Sequence, residues 1–197
     1  MTEDRKFFMD FDEGSHTYTI DGKVVPSVTQ ILSSAGIFDA SKYPDLEYYR
    51  ERGSANHKAT ELWEKGTLDE DELDERIKPF LESYKLWKSF SGFESLHIEL
   101  RCWDALYGFA GTMDRVGMLN GHTSILDLKS NQVESWCGIQ LAGYELLCPS
   151  TESFKRYGLA LQADGSMAKL KQFSDRTDRK VFLGAMTVYK WRKANGS

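Results

Sequence analysis

The chain has 197 residues, 41% hydrophobic and 28% charged, with a formal net charge of −5. That length suits one domain with a sizeable core and would leave two cramped. No stretch approaches the ~20 apolar residues of a membrane span, and the opening "MTEDRKFFMDFDEG" lacks the apolar core of a secretory signal, so a cytoplasmic setting is expected.

Cys102, Cys137 and Cys148 are widely spaced and form no C-x-x-C pair, which speaks against a disulfide framework or a zinc ribbon. The charge is uneven. Residues 153–197 hold 10 Lys or Arg against 3 Asp or Glu, and residues 1–152 hold 15 against 27. The basic C-terminal segment is either a polyanion-facing region or a helix facing water.

In chain order, "HTYTIDGKVV" alternates around Asp21-Gly22 and predicts a β-hairpin. "PSVTQILSSAG" predicts a short helix capped by Ser27 and stopped at Gly36. Residues 45–65 and 69–90 predict two further helices. The second opens on "DEDELDER", acids suited to the positive end of a helix dipole. That run either binds a cation or is a solvated first turn.

From residue 96 the pattern changes to period two. "LHIELRCW", "YGFAGTMDRVGML" and "TSILDLKS" predict three antiparallel strands, the last two joined at Asn120-Gly121. Residues 135–147 return to helix, "FKRYGLALQ" and "MAKLKQF" predict a hairpin across Asp164-Gly165, and residues 177–193 a final helix. The expectation is an α/β fold with a mixed sheet, organised as one domain over 1–197. Its N-terminal hairpin and helices occupy 1–95, and the sheet with its helices 96–197.

A two-residue turn at Asn120-Gly121 pairs Leu119 with His122, Met118 with Thr123 and Val116 with Ile125. Carried further, it sets Asp114 opposite Asp127 and Thr112 opposite Lys129, with facing Cβ atoms roughly 4.5–5.5 Å apart. Facing carboxylates repel, and a divalent cation would offset the cost. Oxygen ligands suit Mg²⁺ or Mn²⁺, and Lys129 would hold or activate a water beside the ion. A surface ion pair of Lys129 with either acid is the competing reading of the same spacing.

The surroundings "GTMDRVG … ILDLKS … QLAGY", with "RGSANHKATE" upstream, resemble the PD-(D/E)XK nuclease superfamily, in particular its RecB-like and phage-type exonuclease branches. The resemblance spans roughly residues 16–147 and includes "YTIDGKVVPSVTQIL". It implies a restriction-endonuclease-like core, a central mixed β-sheet flanked by helices, with an extra N-terminal hairpin and helices. It also implies a Mg²⁺-dependent exonuclease, with Mn²⁺ able to substitute, that leaves a 5′-phosphate. Asp114, Asp127 and the Leu128 backbone carbonyl would bind metal. His57 would be an added ligand, and Glu99 either a metal or outer-sphere group or one half of a surface ion pair. Lys129 would be catalytic, with Gln140 and Tyr144 from a Q-x-x-x-Y helix, and Arg52 would meet a substrate phosphate. Glu61 shares the face of His57, as a supporting, capping or solvated acid. Asp replaces the commoner Glu at 127, which the family tolerates. The four cysteines that hold an iron–sulfur cluster in some relatives are missing, so no cluster is expected. The implied partners are DNA, by its ends or as single strands, and a phage single-strand annealing protein. A nuclease fold retired to binding, or an endonuclease, is the alternative.

Overall fold

The computed structural model describes residues 8–38, 45–148 and 153–196, with the side chain of Leu46 left out. The elements are β1 (Met9–Asp12), β2 (Thr17–Ile20), β3 (Lys23–Val25), α1 (Val28–Ser34), α2 (Leu46–Glu64), α3 (Lys78–Ser91), β4 (Glu94–Asp104), β5 (Phe109–Leu119), β6 (His122–Ser130), α4 (Cys137–Leu146), β7 (Lys155–Leu161), β8 (Lys169–Phe173) and α5 (Thr177–Asn195). They form a three-stranded antiparallel sheet, β1-β2-β3, and a five-stranded sheet, β4-β5-β6-β7-β8. The β6–β7 pair is parallel, across the α4 connection, and the other neighbours are antiparallel. The α/β architecture with a mixed sheet and an N-terminal hairpin is therefore as expected.

Local chemistry explains the boundaries. Asp21-Gly22 and Asn120-Gly121 all have positive φ, as a type I′ hairpin turn requires. Ser27 and Gln30 form a reciprocal capping box at the start of α1. Strand β1 adds a third strand to the expected hairpin, Met9 pairing with Ile20.

The helix expected from residue 69 begins only at Lys78. In the acidic run the Asp69 and Asp74 carboxylates accept from the backbone N–H groups of Asp71 and Arg76. Those local bonds compete with helix formation. Pro79 then sits in the first turn of α3, where its missing N–H costs nothing.

Both faces of the large sheet are covered. Ile125 packs into a cluster with Val28, Leu141 and Phe182 from α1, α4 and α5. Its strand neighbours Leu126 and Leu128 point into a second cluster with Phe80, Tyr84 and Trp87 of α3. This is why β6 carries an unbroken apolar run before its polar end. Helices α4 and α5 approach closely at Gly143, where a Cβ would lie 2.7 Å from the Phe182 ring. Among the described residues, no helix is long and apolar enough to cross a membrane.

A candidate metal-dependent active site

The β5–β6 ladder contains the expected rungs from Leu119↔His122 to Val116↔Ile125 and one more, Arg115↔Leu126. It stops there, one rung before Asp114, so the expected Asp114–Asp127 and Thr112–Lys129 backbone pairs are not formed. Instead the Leu128 N–H donates to Asp114 Oδ2 at 2.6 Å. A side chain has taken the place of a ladder carbonyl, and the strands part around it.

The β4 side is also irregular. Glu99, which the register would set beside Asp114, is unpaired and has φ of 50°. A left-handed backbone at a non-glycine residue costs on the order of 1–3 kcal/mol and clusters at functional sites. Met113 and Val116, three residues apart, share one apolar cluster, so the period-two alternation shifts at Asp114. Asp114 is thus set apart from the ladders on both of its sides.

Helix α2 brings His57 over this gap. Its Nε2–H meets the Leu128 carbonyl at 3.1 Å, and its Nδ1 lies 3.4 Å from Asp114 Oδ1 and 3.9 Å from Glu99 Oε1. The ligand atoms of His57, Glu99 and Asp114 all lie within 4.8 Å of one another, a spacing that could hold a metal ion. Asp127 is 2.7 Å from Lys129 Nζ, as an ion pair. Gln140 donates to the Tyr144 hydroxyl at 2.9 Å, both buried on one face of α4. All of these except the Leu128 backbone line one cleft of about 630 Å³, as do Arg50 and Lys58. The N-terminal sheet forms another wall of the cleft. Tyr18 and Thr112 share a hydroxyl hydrogen bond at 2.6 Å.

The electrostatics reflect crowded acids. Burial and then the Asp114 charge push Glu99 up to about 7, against the opposing pull of His57 and Arg115. Burial pushes Asp127 up to about 6, with Lys129 opposing and Asp114 adding to the rise. Burial disfavours the His57 cation, but the adjacent Asp114 carboxylate and then Glu99 more than reverse this and raise it to about 9. The Lys129 ammonium is likewise disfavoured by burial and then held above its ordinary range by Asp127.

The donor set fits a divalent ion. It offers one imidazole nitrogen, carboxylate oxygens and a backbone carbonyl, hard donors of the kind Mg²⁺ and Mn²⁺ take. Glu99 Oε1 and Gln140 Oε1 are buried without a hydrogen-bond partner, a state that buried polar atoms rarely keep unless something else meets them.

Other expected residues lie elsewhere. Arg52 faces a neighbouring cavity, with its guanidinium over the Tyr48, Tyr49 and Phe80 rings. Glu61 lines the cleft but is engaged by Lys58 and Lys65 at 3.0 and 2.5 Å. The exposed cations of α5 line neither cavity.

Residue-by-residue reading missed Arg115. Its side chain is fully buried and paired with Glu64 at 2.5 Å. It donates to the Asp114 carbonyl at 2.7 Å and to Thr60 at 2.9 Å, and lies 3.6 Å from Glu99 Oε1. The available signal was an arginine in the middle of an apolar strand, with glutamates on the helix that packs over it.

No family model and no curated protein matches the sequence. Among solved structures, a protein of Eubacterium rectale assigned as an exonuclease matches 74% of this chain and 68% of its own, at 14% identity and a TM-score of 0.53. LHK-Exo in complex with dAMP matches 87% of this chain and 93% of its own, at 11% identity and a TM-score of 0.35. A further structure of LHK-Exo, the alkaline exonuclease of Laribacter hongkongensis, matches 86% and 93% at 12% identity and a TM-score of 0.34. At such identities the likeness bears on architecture alone, and the first of these matches shows that the chain shares the fold of that protein.

Proposed function

We propose that this chain is a metal-dependent deoxyribonuclease of the PD-(D/E)XK superfamily, in its RecB-like and phage-type exonuclease branch. The observation that carries the proposal is the meeting of His57, Glu99 and Asp114 in one open cleft, beside the Asp127–Lys129 pair.

His57, Asp114 and Glu99 would hold Mg²⁺ or Mn²⁺ with the Leu128 carbonyl, and Asp127 would join them on release from Lys129. The bound ion would supply Lewis acidity toward a phosphate oxygen and a more acidic water. While it is paired with Asp127, Lys129 is held as a protonated ammonium. It is suited to hydrogen-bond the attacking water and to offset charge gathering on the phosphate. Arg115 keeps Asp114 and Glu99 in place from behind. Gln140 and Tyr144 border the site, and the Gln140 Oε1 has a free acceptor for a substrate or water proton. Arg50 and Lys58, lining the cleft, attract the polyanion.

Linear and closed circular DNA incubated with Mg²⁺ or Mn²⁺ test the proposal. Nucleotides should be released from the linear form with the circle spared, and chelation should stop the reaction. Asp127→Ala or Lys129→Ala should slow release at least ~100-fold, the cost of losing one charge-stabilising group, with circular dichroism unchanged. Full activity in either variant would overturn the proposal. Cutting of the circle would make the enzyme an endonuclease.

A further inference from the structure

Beside the carboxylate-lined cleft lies a second cavity of about 500 Å³. The two share Arg50, Gly53, His57 and Lys129 as lining. A strand crossing from one to the other therefore passes the candidate metal ligands.

The two cavities differ in chemistry. The first contains Glu99, Asp114 and Asp127, whereas the second is walled by the rings of Phe38, Tyr49 and Trp136 with Arg50 and Arg52. The Phe38 and Trp136 rings lie 5.0 Å apart at 50°. Lys129 Nζ, which contacts Asp127, also lies 5.4 Å from the Trp136 ring centre. The Arg52 guanidinium is 5.1 Å from the Tyr49 ring, and its Nε is buried without a hydrogen-bond partner. A buried donor left unmet is unfavourable, so an acceptor supplied by a ligand would be well received. Among the described lining residues Glu134 is the carboxylate, and it already accepts from Gln132 at 2.6 Å.

We infer that this second cavity seats one unpaired nucleobase of the substrate, the base next to the phosphodiester being cut. The inference rests on the nuclease proposal. Aromatic faces beside cations are what single-stranded nucleic acid uses, the bases stacking and the phosphates meeting Arg or Lys. A cavity of this size accepts a base, whereas a paired base must first leave its stack to enter it. The bond would then be cut only where a base is free, at a frayed end or on a single strand.

The test is binding of a fluorescent oligothymidylate with Ca²⁺ as the ion, its length checked on a gel. Single abasic sites are placed at successive positions from the end. At one position the missing base should weaken binding to the wild type about tenfold, within the range for one base stacked on an aromatic ring. In Trp136→Ala that penalty should vanish because the intact strand already binds as weakly, and Trp136→Phe should restore most of it. Tyr49→Ala gives the same comparison at a ring that is 42% exposed, should Trp136→Ala fail to fold. Indifference of the wild type to every abasic position, or an equal penalty in the variants, overturns the base site while leaving strand binding and cleavage intact. No binding of any oligonucleotide overturns both the base site and the nuclease proposal.

Discussion

The run 69–75 holds six acids in seven residues, and all six are exposed. Glu99, Asp114 and Asp127 come one each from three adjacent strands, and their side chains are only 25%, 8% and 2% exposed. The dense group costs little, because water solvates it and Arg76, Lys78 and Lys85 pair with Asp74, Glu75 and Glu70. The sparse group is the expensive one, since burying a carboxylate is unfavourable unless a partner meets its charge. Acid density in a sequence therefore says little about a metal site. What matters is which acids the fold withdraws from water and leaves short of partners.

Glu64 sharpens this contrast, because it is also buried but fully met. Burial would raise its pKa. The hydrogen bonds from Lys88, Ser95 and Tyr84 and the charge of Arg115 more than reverse that, holding it down at about 2. Replacing it takes the nearest carboxylate from the buried Arg115 and leaves only the looser Glu99 contact at 3.6 Å, so Glu64→Ala should cost about 3–5 kcal/mol of stability, read by urea unfolding at pH 7. The sign with pH follows from the depressed folded value. The contribution is present above the ordinary carboxylate range near 4.5 and is lost as pH falls toward 2. The gap between wild type and Glu64→Ala should therefore narrow between about pH 5 and pH 2. Parallel acid limbs in the two proteins would mean that Glu64 is not charge-paired in the folded state.

The acids gathered in the cleft should respond to a cation. An ion that binds only the native chain stabilises it by about 2.7 kcal/mol at a hundredfold excess over its Kd. For a chain of this length that is a rise in Tm of about 5–10 °C. Mn²⁺ should produce such a rise in the wild type, and Asp114→Asn should abolish it. Asn still offers an oxygen to the Leu128 N–H, so loss of the shift would report the missing charge rather than a broken strand. An equal shift in both proteins would place the ion elsewhere.

The elements of the large sheet were legible because period-two alternation and the Asn120-Gly121 turn are local signals, and the register from Leu119 to Val116 came with them. The end of that ladder was not. Whether Asp114 keeps its rung or accepts the Leu128 N–H through its carboxylate is decided where His57, 71 residues before Leu128, packs against the same segment, and no local pattern carries that. The shortened α3 has a similar origin. The acids of 69–77 look like a helix start by charge, but two of them bond their own backbone instead. The His57–Glu99–Asp114 meeting was legible only as separate motifs. The buried Arg115–Glu64 pair behind it joins an exposed-looking helix to a strand across 51 positions.

The acidic run supplies the smallest expected effect and the sharpest control. Asp71 and Glu72 are exposed, and exposed substitutions away from caps and pairs usually change stability by less than about 0.5 kcal/mol. Asp71→Asn with Glu72→Gln should leave the urea midpoint, the Mn²⁺ shift and nucleotide release where they are in the wild type. If this double variant lost the Mn²⁺ shift while Asp114→Asn retained it, the roles of the two acid groups would be exchanged: the solvated run would be the cation site. The buried trio would then be a structural set, Glu99 and Asp114 paired with His57 and Asp127 with Lys129, with no ion to bring a water to the Asp127–Lys129 pair.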